Sequence, residues 1–342
     1  MRGIATFLIP GMSKQVLLVH CSLTGNTQHV ALVLKQVLEA HGFSCVLHDL
    51  IPLIRGISLR SEAEPLAELT RKCDAADVIG LGTLVDGLAP FPKFCKAISA
   101  LPKRALQGKP SFIFTTFGNI EGWASATVVN CLKKMGSRPL MALPVRCPEN
   151  FIPLQAIVPD RDYFDAGQET RVRQFAEKLS AVLGSEPSSW PQVELALWKR
   201  VLARIGWSSC VSVVPLIGPI RIDPAKCIHC GACVRLCPFG ALEKCPDIEN
   251  TPAGPPQYHM LRCKGCTRCL NRCPAQAISI PVWRSQSRQQ YTFTEVRPQG
   301  LPHPLREIAR VRHVAPRVLL TLAALVVILV GIALRLLRAR RV

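Results

Sequence analysis

Acidic residues are scarce. Asp and Glu number 23 against 42 Lys and Arg, leaving a net charge of +19 over 342 residues. Such an excess raises nucleic acid as a partner, but its placement argues otherwise. Residues 283–342 hold eleven Arg, no Lys and only Glu295 and Glu307 on the acidic side, beside the single long apolar run. That placement suits a membrane surface or an acidic partner better than a DNA groove, so no nucleic acid is expected. Long apolar runs are otherwise missing, which excludes a polytopic membrane protein. With 49% hydrophobic and 19% charged residues, a disordered polar chain is excluded as well. No Gly-x-Gly-x-x-Gly turn follows a strand pattern, so no nicotinamide-binding turn is evident. Features of a secretory signal are also lacking, since Met1–Met12 has one basic residue and too short an apolar stretch. Met12 is an alternative start. The compartment is read as reducing, which argues against a disulfide framework for the 16 cysteines.

What is present divides the chain into two or three domains, each roughly 100–200 residues in the usual case. Residues 12–184 alternate apolar strands with helical patterns. Val16-Leu17-Leu18-Val19 is a continuous apolar run, as in a strand buried on both faces. Val30, Val33, Leu34, Val37 and Leu38 then recur at helical spacing and stop at Gly42. Cys45–Leu47, Asp77–Leu81, Ser111–Thr116 and Leu140–Val145 supply four further strands. Val172, Phe175, Ala176, Leu179 and Val182 form the stripe of a last helix ending at Gly184. Five strands with intervening helices predict a doubly wound α/β domain on a parallel sheet.

Residues 185–218 read as a connector, Pro/Ser-rich and then helical from Val193 to Ile205. Residues 219–282 contain the clustered cysteines, and 283–317 form a basic, Pro-rich tether. Val318–Leu334 is 17 residues without a charge, near the lower limit for crossing a bilayer. The segment 318–336 is read as a membrane-spanning helix, with an interfacial helix as its rival. The redox domains are expected on the cytoplasmic face.

The cysteines decide the chemistry. Cys227, Cys230, Cys233 and Cys237-Pro238 are repeated with identical spacing by Cys263, Cys266, Cys269 and Cys273-Pro274. Three thiolates spaced by two residues can take three corners of one iron–sulfur cubane, while the fourth, followed by Pro, reaches the other cluster. One [4Fe-4S] cluster is therefore assigned to Cys227, Cys230, Cys233 and Cys273, the other to Cys263, Cys266, Cys269 and Cys237. Zinc also uses Cys-x-x-Cys pairs, but it gives no reason for a third evenly spaced Cys and a trailing Pro, both twice. This segment resembles two-cluster bacterial ferredoxins over about 60 residues. Its departure from them is a Pro-rich insertion between Cys237 and Cys263, with Cys245 inside it.

Directly after the first strand comes Ser22-Leu23-Thr24-Gly25-Asn26-Thr27. Hydroxyls and backbone amides at a helix N-terminus form an anion site suited to a phosphate monoester. Without a Gly-Lys-Ser/Thr it is not a Walker loop. The third strand ends in Gly82-Thr83-Leu84-Val85-Asp86-Gly87 and the fourth in Thr115-Thr116-Phe117-Gly118-Asn119. In open α/β sheets ligands bind beyond such strand ends. The domain resembles flavodoxins over about 170 residues. That resemblance implies strand order 2-1-3-4-5 and FMN, with its phosphate on Ser22, Thr24, Gly25, Asn26 and Thr27. It places Thr83, Asp86, Gly87, Thr116, Phe117 and Gly118 beside the flavin. Asp86 stands where the family carries a stacking aromatic, with Phe91, Phe117 or Trp123 as candidate substitutes.

The two domains in this order resemble flavodoxin–ferredoxin fusion proteins. The resemblance implies electron transfer between the two clusters and FMN. A flavin-dependent reductase of a quinone or nitro compound, and a flavin-free ferredoxin with a docking flavodoxin-like domain, are the alternatives.

Overall fold

The structure, a computed structural model, describes residues 13–118, 120–147, 166–205, 218–245, 254–280 and 285–286. The N-terminal domain runs β1 (Gln15–Cys21), α1 (Asn26–Ala40), β2 (Ser44–Asp49), α2 (Ile51–Leu59), α3 (Ala63–Ala75), β3 (Val78–Asp86), β4 (Ala89–Pro90), α4 (Phe94–Ser99), β5 (Pro110–Phe117), α5 (Ala124–Lys134), β6 (Arg138–Arg146) and α6 (Ala166–Gly184). The strands pair in the order β2-β1-β3-β5-β6, all parallel, with β4 folded back antiparallel on β3. Leaving aside the two-residue β4, this is the flavodoxin-type order, whose switch point lies at the carboxyl ends of β1 and β3.

The alternation along β1 shows how the sequence builds the two layers. Val16 and Leu18 join Phe112 and Phe114 under α1 and α6, through Val30, Leu34, Leu38, Val172, Phe175 and Leu179. Leu17 and Val19 join Ile79, Leu81 and Ile113 on the opposite face, under Leu53, Ile54, Leu69, Phe94, Ile98, Val128 and Leu132 of α2 to α5. Period-two strands and 3.6-period helices meet on both sides, so the sheet has no wet face.

The connector differs from its expected form. The helix, α7, spans Leu197–Ile205 and starts four residues later than the pattern from Val193 predicts. Residues 191–195 are not helical, and the first helical bond runs from the Arg200 amide to the Ala196 carbonyl. The Val193 amide instead donates to the carbonyl of Pro139, beside the edge strand β6, and Val193 and Leu195 pack on the core. Tertiary burial wins over helical propensity here. Lys199 of α7 forms an ion pair with buried Glu121, which also accepts from the hydroxyls of Thr115 and Ser125. Lys199→Met leaves that carboxylate buried without its cation. The expected loss is about 3 kcal/mol, the low end for such a pair because the lysine is partly exposed. Denaturant midpoints of Lys199→Met and of Lys199→Met/Glu121→Gln check this, with the double variant recovering part of the loss.

The cysteine domain consists of β7 (Arg221–Ile222), α8 (Ala232–Leu236), β8 (Leu242–Glu243), β9 (Gln257–Tyr258), α9 (Arg268–Asn271), β10 (Ile278–Ile280) and β11 (Ser285–Gln286). The motif duplication is visible in the backbone. His229 and Gly265, Gly231 and Thr267, and Gly240 and Gln276 occupy equivalent places, and all six have positive φ. The Pro-rich insertion lies between the paired strands β8 and β9. Of the tether range 283–317, only Ser285 and Gln286 are described. Ser285 and Gln286 pair antiparallel with β10, because that edge strand offers backbone groups still to be satisfied. The remainder of 283–317 and the whole of 318–336 lie outside the described residues. Among the described residues, no helix is long and apolar enough to cross a membrane.

Candidate functional site

The carboxyl ends of β1, β3 and β5 open into one cleft. Ser22, Thr24, Asn26 and Thr27 line one part of it, Thr116, Phe117 and Gly118 another, and Leu84, Val85, Asp86 and Phe91 a third. Helix α1 begins at its floor with no side-chain cap and no acidic residue in its first turn. Gly25, at φ 111°, gives the backbone a turn that a side chain would strain, and its amide donates to Ser22 Oγ at 3.1 Å. The Thr27 and Thr116 hydroxyls lie 2.8 Å apart, joining the first loop to the third. Converging hydroxyls at the positive end of a 15-residue helix suit a phosphate monoester.

Four expected contacts fall outside the lining, Gly25 among them, whose amide is turned to Ser22 Oγ. Thr83 is fully buried, its hydroxyl donating to the Leu84 carbonyl and accepting from the Phe91 amide, so it holds the β3–β4 loop in shape instead of lining the cleft. Gly87 sits with Leu88 in the two-residue turn between β3 and β4, outside the lining. Trp123 is buried at the start of α5, its amide bonded to the Leu88 carbonyl, whereas Phe91 and Phe117 do reach the cleft. Sequence reasoning missed Leu23, Cys147 and, above all, Gly265, Cys266 and Thr267, which reach this cleft from the cysteine domain.

That approach is built into the contact between the domains. The Arg55 guanidinium donates to the carbonyls of Val234, at 2.8 Å, and Arg235. Ser58 Oγ donates to the Pro238 carbonyl at 2.9 Å and accepts from Lys93 Nζ at 2.9 Å. The Phe91 and Phe239 rings pack with centroids 5.5 Å apart, and Cys237, Phe239 and Ala241 belong to the same apolar cluster as α2 to α5. At Gly240, φ 61°, a Cβ would stand 2.3 Å from Leu59 Cδ2, so glycine leaves room for the Leu59 side chain against this turn.

The eight motif cysteines ring two separate cavities. Cys227, Cys230, Cys233 and Cys273 line one, while Cys237, Cys263, Cys266 and Cys269 line the other. The fourth cysteine of each copy thus stands with the first three of the other. Backbone amides of Ala241 and Ala277 donate to Sγ of Cys237 and Cys273 at 3.2 and 3.3 Å, at equivalent places in the two copies. Burial, reinforced by neighbouring cysteines, pushes the Cys233 thiol up to about 11 and Cys266 up to about 12. Bound iron is the positive charge that would hold these groups as thiolates. Among the described residues, no three His, Cys, Asp or Glu side chains close around a point suited to a single metal ion. Each cavity carries four cysteines, the donor set that holds an iron–sulfur cluster.

A flavodoxin-type sheet docked to a duplicated cysteine motif defines a redox class, and comparison with known proteins narrows it. The 4Fe-4S binding domain family matches residues 220–243. An uncharacterized ferredoxin of Methanocaldococcus jannaschii is 37% identical over 71 residues, covering 21% of this chain and 88% of that protein. Pyruvate synthase subunit PorD of Methanothermobacter marburgensis is 36% identical over 59 residues, covering 17% of this chain and 60% of that subunit. An archaeal flavodoxin structure aligns over 50% of this chain and 99% of its own, at 11% identity and a TM-score of 0.36. The flavodoxin-type assignment rests on strand order and not on that likeness. The chain belongs to the ferredoxin family through its cysteine domain, which is joined to an N-terminal domain of flavodoxin-type strand order.

Proposed function

We propose that this protein carries single electrons between FMN, bound in the β1–β3–β5 cleft, and two [4Fe-4S] clusters held by the crossed cysteine sets. The observation that supports this reading best is that one cleft is lined both by the phosphate-type loop Ser22–Thr27 and by Cys266. FMN would supply one- and two-electron chemistry, and each cluster one-electron chemistry. The chain's own residues do the rest. Ser22, Thr24, Asn26 and Thr27 hold the phosphate, and Phe91 and Phe117 cover apolar surface. The Gly265–Thr267 loop shields the cleft from water, and Ala241 and Ala277 amides orient two ligand sulfurs. Asp86 lines the same cleft, where its carboxylate disfavours added negative charge on a flavin and lowers its potential toward that of the clusters.

Anaerobic purification followed by iron, sulfide and flavin analysis tests the reading. About eight iron, about eight sulfide and about one FMN per chain are expected. Full iron without flavin, even with FMN added in excess, overturns the flavin half and leaves the N-terminal domain as a docking module.

The proposal extends to location and partner. Segment 318–336 is assigned as a membrane-spanning helix that keeps the redox domains at the cytoplasmic face, supported by the 17 uncharged residues of Val318–Leu334. The partner is assigned as a redox protein of acidic surface, supported by the net charge of +19. Truncation after Arg312 is expected to release a protein with its iron intact from salt-washed membranes. Sedimentation of the truncated protein with those membranes would contradict the anchor.

A further inference from the structure

The two cysteine cavities are unequal. Arg268, 9% exposed, borders the cavity of Cys237, Cys263, Cys266 and Cys269. Its Nε and Nη1 have no hydrogen-bond partner, and it forms no ion pair among the described residues. A buried guanidinium without a counter-anion is costly, by several kcal/mol in typical cases, so its surroundings should supply negative charge. The adjoining cavity is where four thiolates and an iron–sulfur cube would supply it. The equivalent position in the first motif copy is Ala232, which borders the other cavity with no charge. Of the cations closest in sequence to that cavity's cysteines, Lys226 beside Cys227 is exposed and pairs with Asp223, Arg272 beside Cys273 is part-buried and lines neither cavity, and Arg235 is exposed with its Nη1 donating to the Cys230 carbonyl. Cys230 is itself exposed, so solvent screens charge around it far more than in the buried cavity.

We propose that Arg268 sets the redox asymmetry of the domain, raising the potential of the cluster beside the flavin cleft above that of the outer cluster. This rests on the crossed two-cluster reading. A cluster gains one negative charge on accepting an electron, and a fixed cation in a low-dielectric cavity stabilises that reduced form. The gradient then favours the cluster whose Cys266 lines the cleft, so that electrons gather where the flavin would exchange them. Arg268 acts by its charge and its N–H groups; it ligates nothing.

An electron paramagnetic resonance redox titration of the full-length, anaerobically purified protein tests this. Signals are assigned beforehand with Cys266→Ser and Cys230→Ser. Arg268→Met keeps the side chain's length and removes its charge. The reduced-to-oxidised ratio of the cleft-side cluster at fixed potential is expected to fall about tenfold, equivalent to about 59 mV for one electron. The outer cluster should stay where it was, and Arg268→Lys should retain most of the wild-type ratio. Ala232→Arg places a guanidinium at the equivalent position and should raise the ratio for the outer cluster. Unchanged ratios in Arg268→Met with full iron, or equal shifts of both clusters, would overturn the inference. If Arg268→Met loses iron, Ala232→Arg decides: an unmoved outer cluster overturns it. A chain that holds only one cluster contradicts the two-cluster reading instead, which iron analysis of the wild type reveals separately.

Discussion

Gly25→Asp is expected to yield protein with its full iron content and no flavin. Gly25 precedes α1 at φ 111° and ψ −17°, a conformation in which any side chain is strained. An aspartate there also sets a carboxylate against a phosphate carrying nearly two negative charges. Each charge-assisted hydrogen bond from an amide or hydroxyl contributes roughly 1.5–3 kcal/mol. Losing two therefore costs about 3 kcal/mol or more, at least about 100-fold in affinity, before like-charge repulsion is added. By comparison, a missing aromatic stack opposite Asp86 costs about 0.5–1.5 kcal/mol beyond area burial. The phosphate loop should dominate binding. The cysteine cavities lie in the other domain and depend on none of these groups. Flavin fluorescence after denaturation, with iron measured on the same sample, checks the result, and Gly25→Ala should fall between wild type and Gly25→Asp.

Cys237→Ser is expected to perturb the same cluster as Cys266→Ser, and Cys273→Ser the same cluster as Cys230→Ser. The physical reason is the chain reversal at each Cys-Pro pair. After Cys237 the backbone turns through Phe239 and Gly240, leaving Sγ bonded to the Ala241 amide within the cavity of Cys263, Cys266 and Cys269. Cys273 repeats the arrangement through the Ala277 amide, facing Cys227, Cys230 and Cys233. A serine oxygen is a harder and poorer ligand for iron than a thiolate, so each variant should lose or convert one cluster and spare the other. Paramagnetic resonance of the four variants sorts them into two pairs. If Cys237→Ser groups with Cys230→Ser, the crossed arrangement is wrong.

Much of this was legible in the sequence because it is local. Val16–Val19 is apolar on every residue because β1 is buried on both faces, and Ser22–Thr27 announces the strand-to-helix turn. The evenly spaced cysteines, duplicated with their prolines, carry their grouping in the spacing alone. The unread parts depend on segments that meet only after folding. Phe91 packs on Phe239, and Arg55 bonds to the Val234 carbonyl, across more than half the described chain. Nothing near Gly265-Cys266-Thr267 in sequence marks it as a wall of the cleft; the docking of Val234, Pro238, Phe239 and Gly240 against Arg55, Ser58, Phe91 and Leu59 brings it there. Thr83 was misread for a related reason. It sits at a strand end facing the switch point, yet its hydroxyl is occupied within its own loop. The late start of α7 follows from the same competition, since Val193 and Leu195 find burial beside the sheet in extended form.

The central claim is that the cleft and the Cys237, Cys263, Cys266 and Cys269 cavity form one electron path within a single chain. Flash reduction of FMN in the anaerobic, fully loaded protein, followed at flavin and cluster wavelengths over a range of protein concentrations, tests it most directly. The expected result is loss of the reduced flavin and gain of a reduced cluster with one shared rate constant, independent of concentration and slowed by Arg55→Glu at the domain contact. A rate that rises in proportion to protein concentration, or reduced flavin that persists beside oxidised clusters of higher potential, would contradict it.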